Sequence, residues 1–150
     1  MTTMLEATVD KFTFGVATDR LYHRDGVWVL PLDGGPHVRL GVTDFVQQHN
    51  GDVTFATVTA VGTVLGAGDE LAEIETMKAS VSLPTPIGGT VVEANPALAE
   101  TPEVINQDPF GAGWLAVLRV DDWDTARAGL LSPEAYFEHM TAIAEAEVNP

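Results

Sequence analysis

Asp69-Glu70-Leu71-Ala72-Glu73-Ile74-Glu75-Thr76-Met77-Lys78-Ala79-Ser80-Val81-Ser82-Leu83 is the stretch whose reading decides the fold. Before Lys78, the residues Ala72, Ile74 and Thr76 alternate with Glu73, Glu75 and Met77. After it, Ala79-Ser80-Val81-Ser82-Leu83 keeps the same period of two, the signature of half-buried strands. No Gly, Pro or Asn separates the two runs, so the pattern predicts a tight hairpin with Lys78 near its tip. Lys78 is one of only two lysines, the other being Lys11, in a chain with 22 Asp+Glu against 7 Lys+Arg. A long amine held at a hairpin tip is open to an enzyme that acylates it, which removes the ammonium charge and leaves an amide. The plain alternative is a solvated turn lysine, and a five-residue motif does not by itself separate the two.

Length and charge narrow the rest. The 150 residues suit one domain, which would bury about 70% of its unfolded surface. No apolar run approaches the roughly 20 residues that span a bilayer. The start, Met1-Thr2-Thr3-Met4-Leu5-Glu6, lacks a basic region followed by an apolar core, so no secretory signal is visible. There are no cysteines, hence no disulfide, thiol nucleophile or Cys-ligated metal. These features lead to the expectation of a cytoplasmic protein. A net charge of −15 repels phosphate backbones and anionic membranes, so neither nucleic acid nor a membrane is expected as a partner. The same charge would speed docking onto basic patches of partner enzymes.

Outward from the hairpin, short strands are expected over Val27–Leu32, Val38–Val42, Val53–Val58, Val61–Leu65, Ile87–Ala94 and Trp114–Val120. Thr43 can cap a short helix over Asp44–His49, ended by Asn50-Gly51. Residues 95–110 read as loops and single helical turns. Ile87-Gly88-Gly89-Thr90-Val91-Val92 echoes Ala60-Val61-Gly62-Thr63-Val64-Leu65, a hint of two related halves about the hairpin. Residues 1–20 read as a poorly periodic N-terminal extension, with Phe12, Phe14 and Val16 in one short strand. Asp122–Ala128 is expected as a short helix stopped at Gly129. Ser132 and Pro133 open a C-terminal helix, whose Tyr136, Met140 and Ile143 form a packing stripe flanked by Phe137 and Ala144. Trp28, Trp114 and that stripe should be buried. Many short strands with Gly-rich turns predict a mainly β, sandwich or barrel-like fold. Residues 21–150 are expected to be its single domain.

Catalytic constellations are lacking. His23, His37, His49 and His139 show no i, i+4 ligand pair, and no metal site is expected. The three serines, Ser80, Ser82 and Ser132, sit in no nucleophile-elbow motif. Gly62, Gly66 and Gly68 do not form a phosphate loop. Nothing here breaks bonds unaided; no catalytic residue is assigned, and a carrier of a covalent cofactor fits better than an enzyme.

Glu75-Thr76-Met77-Lys78-Ala79 resembles the attachment motif of lipoyl domains, with an acidic residue three before the lysine and Ala after it. Biotin carriers also place lysine on such a hairpin, but with Met on both sides; Met77 fits and Ala79 does not. Further segments are similar to the glycine cleavage system H protein family. They are Gly41-Val42-Thr43-Asp44-Phe45-Val46-Gln47 with Gly51-Asp52-Val53, Gly88–Asn95 with Leu98, Pro102–Trp114, and Leu131–Tyr136. The resemblance runs from Leu21 to Glu145 in the family's order. It implies a lipoyl-like barrel-sandwich hybrid of two small antiparallel sheets with short helices and a C-terminal helix. It implies lipoate in amide linkage to Lys78, with Glu75, Thr76, Met77 and Ala79 serving ligase recognition and the hairpin.

It also implies partners. A lipoate ligase or a lipoyl synthase system would load Lys78. The arm would take an aminomethyl group from glycine decarboxylase, present it to the tetrahydrofolate-dependent aminomethyltransferase, and be reoxidised by dihydrolipoamide dehydrogenase. A monomer is expected. Two departures bear on the pathway. Where the family usually reads His-Glu-Trp-Val, this chain has Gly26-Val27-Trp28-Val29, and the Asp usually found four residues after the lysine is Ser82. In the family that Glu belongs to the cleft that shelters the amine-loaded arm, so the resemblance, with these carboxylates missing, points toward a cousin, the lipoate-binding proteins of sulfur oxidation that work with a heterodisulfide-reductase-like complex. A biotin carrier and an unmodified interaction module are the remaining readings.

Overall fold

The alternation around Lys78 folds as written. In the computed structural model, which describes residues 3–148, Leu71, Ala72 and Ile74 point into the core while Glu73 and Glu75 face solvent. The strands are β1 (Met4–Val9), β2 (Phe12–Ala17), β3 (Leu21–Tyr22), β4 (Val27–Pro31), β5 (His37–Val42), β6 (Val53–Val58), β7 (Val64–Leu65), β8 (Glu70–Thr76), β9 (Ser80–Pro84), β10 (Gly89–Ala94) and β11 (Ala116–Arg119). The helices are α1 (Asp44–Asn50), α2 (Ala97–Glu100), α3 (Val104–Gln107), α4 (Trp123–Arg127) and α5 (Pro133–Val148).

Two antiparallel sheets form the body, one ordered β3-β4-β5-β11-β10-β7 and the other β6-β8-β9. Their inward residues, including Val29, Leu40, Leu71, Ile74, Leu83, Val91 and Leu118, make the main apolar cluster. Ile105 and Leu98 from α3 and α2 complete it. The echoing segments are neighbours: Gly89 pairs with Leu65 and Thr90 with Val64. The contact continues into the adjoining turn, where the Gly62 N–H donates to the Val91 carbonyl at 2.7 Å and the Val91 N–H to the Thr63 carbonyl at 2.9 Å. Gly41 is needed where it stands, because a Cβ there would meet the Trp28 ring at 2.4 Å.

The N-terminus departs from the expected single strand. β1 and β2 pair over their whole length as a third, two-stranded sheet, so the two sheets expected from the resemblance are joined by a hairpin. Val9, Phe14 and Val16 pack with Tyr22, Trp28, Tyr136, Met140 and Ala144 into a second cluster. Only Phe14 and Val16 of the residues singled out are buried; Phe12 is 46% exposed. In β1 the inward Leu5, Ala7 and Val9 alternate with Met4, Glu6 and Thr8, and the apolar Met4 on the outer face blurs the period.

The C-terminal stripe is rotated from the expected one. Ser132 caps α5, its Oγ accepting from the Ala135 N–H at 3.1 Å. Tyr136, Met140 and Ala144 are buried at an i, i+4, i+8 spacing, whereas Ile143 is 36% exposed. A packing face that follows i+4 steps skips i+7 when the contact surface is narrow. Trp28 is fully buried but Trp114 only half-buried, with the Arg39 guanidinium 4.8 Å above its ring. Four strands, β4, β7, β10 and β11, are shorter than expected, most of all β7 and β11. Gly62 at φ +95° holds a turn before Val64. The Trp114 N–H bonds the Gly111 carbonyl at 3.1 Å, which delays β11 to Ala116.

Candidate functional site

The lysine turn is built by its threonine. Between β8 and β9 only Met77, Lys78 and Ala79 remain, and the Thr76 N–H donates to the Ala79 carbonyl at 2.8 Å. The Thr76 hydroxyl accepts from the Lys78 and Ala79 N–H groups, each at 3.2 Å, so its side chain stands in for a longer turn. Thr76 is therefore a scaffold residue of the hairpin. Met77 anchors the tip through its backbone, its N–H reaching the Asp52 carbonyl at 3.2 Å, while its side chain is 77% exposed. Lys78 and Ala79 are exposed. Glu75 faces outward on β8, opposite Ser80 on β9 and Phe55 on β6. The five residues singled out from the sequence thus share one hairpin end.

The short helix expected after Thr43 forms a strap behind the tip, a placement that its local pattern does not encode. α1 starts at Thr43, whose hydroxyl accepts from the Val46 N–H, and ends at Gly51 with φ +84°. That left-handed residue turns the chain so that the Asp52 carbonyl meets Met77. A Cβ on Gly51 would also lie 3.8 Å from the lysine's Cε. The Lys78 ammonium donates to the His49 carbonyl at 3.2 Å, at the helix end where uncapped carbonyls attract a cation. Asn106 locks the strap. Its Oδ1 accepts from the Val53 N–H at 2.8 Å, and its Nδ2 donates to Gly51 O at 3.0 Å and Gln47 Oε1 at 3.1 Å. The Asn in the loop of residues 102–114 was the signal in the sequence, but its partners lie more than 50 residues away.

Two hollows flank α1. A groove of about 440 Å³ has Lys78 in its lining, with Phe12, Phe14, Phe45, His49 and Glu147. A cleft of about 320 Å³ adjoins it, sharing Phe45, His49 and Asn50 and lined also by Asp25, Val27, Val81 and Ser82 among others. The structure thus brings the two departures, Val27 and Ser82, into one cleft. Val27 is buried at its floor. Ser82 Oγ donates to Glu70 Oε1 at 2.8 Å. Of the acidic residues near the hairpin, Asp25 lines this cleft and Glu73 and Glu75 do not. Asp25 lies 3.4 Å from His23 Nδ1. Among the described residues, no cluster of His, Asp and Glu could hold a metal, and no helix is long and apolar enough to cross a membrane.

The comparisons with known proteins agree with this geometry. The model of the glycine cleavage H-protein family matches residues 20–143. The chain belongs to that family. It is 38% identical over 115 residues to the glycine cleavage system H protein of Coprothermobacter proteolyticus, covering 77% of this chain and 89% of that one. It is 38% identical over 126 residues to the one of Mycobacterium tuberculosis, covering 81% and 93%. The crystal structure of a glycine cleavage system H protein from Mycobacterium marinum superposes with a TM-score of 0.72 at 33% identity, covering 81% of this chain and 95% of that one. H proteins are non-catalytic lipoyl carriers of the glycine cleavage system, so the family sets this chain among carriers and not enzymes. The relatives do not favour the sulfur-oxidation cousin that Val27 and Ser82 had suggested.

Proposed function

We propose that Lys78 bears lipoate in amide linkage and that the chain shuttles a bound intermediate between the enzymes of glycine cleavage. The supporting observation is the contrast at the tip: the backbone is pinned by Thr76 and Asp52, while the lysine side chain is exposed. Its ammonium donates to an exposed carbonyl, that of His49, so acylation breaks no buried ion pair. The residues present therefore fit the group. When bound, lipoate supplies a dithiolane whose two sulfurs carry redox and thiol chemistry. The chain's own residues hold and aim it. Thr76 fixes the turn, Asp52 fixes its height over the body, and Glu75 and Ala79 offer the loading enzyme an acidic and a small flank. That enzyme is a lipoate ligase or a lipoyl synthase system. The partners served are glycine decarboxylase, aminomethyltransferase and dihydrolipoamide dehydrogenase, met by a monomer in the cytoplasm.

Asp25 supplies the charge that the cleft needs. A cationic cargo desolvated there without a partner carries a large penalty. Val27 and Ser82 offer it no carboxylate, and Asp25 in the same lining does. Incubation with lipoate ligase, lipoate and ATP, followed by peptide mapping, should put the whole mass gain on Lys78. Modification persisting in Lys78→Arg refutes that assignment. The loaded protein should then support glycine–bicarbonate exchange as the sole carrier in a complete glycine cleavage system. Asp25→Asn should lower that exchange, and near-absent exchange by fully lipoylated wild type would sink the glycine-cleavage reading.

A further inference from the structure

The turn that carries Asp25 holds a second titratable group against it. Between β3 and β4, the His23 N–H donates to the Val27 carbonyl at 2.9 Å and the Gly26 N–H to the His23 carbonyl at 3.0 Å. The Thr43 N–H donates to the Gly26 carbonyl at 3.0 Å, which ties the turn to the start of α1. Gly26 sits at φ +93°, and a Cβ there would run into the Val46 side chain, so the turn lies directly on the helix. Within this fixed backbone the Asp25 N–H donates to His23 Nδ1 at 3.1 Å, and the Asp25 carboxylate lies 3.4 Å from the same nitrogen. The Asp25 side chain is 60% exposed and that of His23 32%, so neither is locked by packing. A neutral imidazole with its proton on Nε2 accepts from the amide at Nδ1. A protonated one has lost that lone pair and donates from Nδ1 to the carboxylate.

We propose that His23 is a positioning residue for Asp25: the neutral imidazole leaves the carboxylate free for a cationic cargo, and the protonated one takes it. The inference rests on the reading of Asp25 as the partner of that cargo and adds what governs it. The ion pairs among the described residues give Asp25 no cation other than His23. A proton on His23 therefore sets two cations competing for one carboxylate. An imidazole ordinarily changes charge between pH 5 and 8, so the cargo is held better as pH rises through that range. The other groups around Asp25 come from the turn and from three further elements. Arg24 follows His23 in the turn and keeps its charge throughout. α5 brings His139 and Tyr136 to a hollow that Asp25 also lines, and α1 brings His49 to the cleft. Burial raises Tyr136 to about 12, so it stays neutral in this range. His49 Nε2 lies 2.9 Å from Glu147 Oε1. β9 adds Ser82, which is uncharged. Three imidazoles thus surround Asp25, and among the described residues His23 is the one paired with it.

Two measurements test this. In the unmodified protein, NMR follows the Asp25 backbone amide from about pH 8 to pH 5. Its resonance should move together with the His23 ring signals, because the proton displaces that amide from Nδ1. The movement should persist in His139→Gln and vanish in His23→Gln, whose side chain still accepts but takes no proton. The second measurement is glycine–bicarbonate exchange with the lipoylated carrier in a complete glycine cleavage system. The ratio of wild-type to His23→Gln kcat/KM cancels the pH dependence of the partner enzymes. It should fall severalfold between about pH 8 and pH 6. The same ratio taken between Asp25→Asn and the double variant should stay flat. An Asp25 amide that ignores His23, or a flat wild-type ratio with an active carrier, overturns the positioning role and leaves the carrier reading standing. Exchange absent at every pH from fully lipoylated protein overturns the carrier reading and the proposal with it.

Discussion

Replacing Asn106 by alanine tests whether the strap behind Lys78 is a structural tie. The side chain makes three hydrogen bonds, to the Val53 N–H, the Gly51 carbonyl and the Gln47 amide. Each is worth about 1 kcal/mol net, and leaving a buried donor without a partner costs about 1–3 kcal/mol. Val53 is 4% exposed, so its N–H has little access to water, while the Gly51 carbonyl and Gln47 can partly rehydrate. The expected loss is therefore about 2–4 kcal/mol, or roughly 5–15 °C in melting temperature for a domain of this size. Asn106→Asp keeps the acceptor for Val53 but turns a carboxylate oxygen toward the Gly51 carbonyl, so it should also destabilise. Urea unfolding followed by tryptophan fluorescence measures the stability. Lipoylation kinetics on the folded variant measure the second consequence. A looser strap moves the Asp52 carbonyl that holds Met77, so modification of Lys78 should slow. A stability change under about 0.5 kcal/mol for Asn106→Ala, the range of ordinary surface substitutions, would refute the tie.

Three further outcomes follow from the same structure. Met140→Ala should cost about 2–5 kcal/mol because the side chain is fully buried. Ile143→Ala on the same helix should cost far less, and equal losses by chemical denaturation would put the packing face elsewhere. Glu75→Gln should slow lipoylation while leaving the melting temperature nearly unchanged, since Glu75 faces solvent; equal loss of both would make it structural. The chain's two tyrosines are both buried, and burial raises the Tyr136 hydroxyl from 10.0 to about 12 and Tyr22 higher still. A raised folded pKa favours the neutral form, so this stability is complete below pH 10 and is lost as pH rises from 10 toward 12. An ultraviolet titration should accordingly show no phenolate near pH 10 before unfolding begins, and normal ionisation there would contradict the burial.

The sequence by itself determined the hairpin, the lysine at its tip and the mainly antiparallel sheets. All three rest on local pattern: the period of two in residues 72–83, turn residues between strands, and the cap residues Thr43, Gly51 and Ser132. The family resemblance was legible for the same reason, because its motifs are contiguous. Tertiary structure alone decided the surroundings of Lys78. Asn106 reaches Val53 across 53 residues, Lys78 reaches His49 across 29, and Gly15 N–H reaches Asp44 Oδ2 across 29. No spacing rule encodes those meetings, since they depend on which sheet faces which. The same holds for the N-terminal hairpin. Its apolar residues are too few and too mixed to show a period, and they become core only when α5 and Trp28 are brought against them. The rotation of α5 that buries Ala144 and exposes Ile143 has the same origin. A helical stripe fixes a face to within about 100°; the surface it lands on selects the residues.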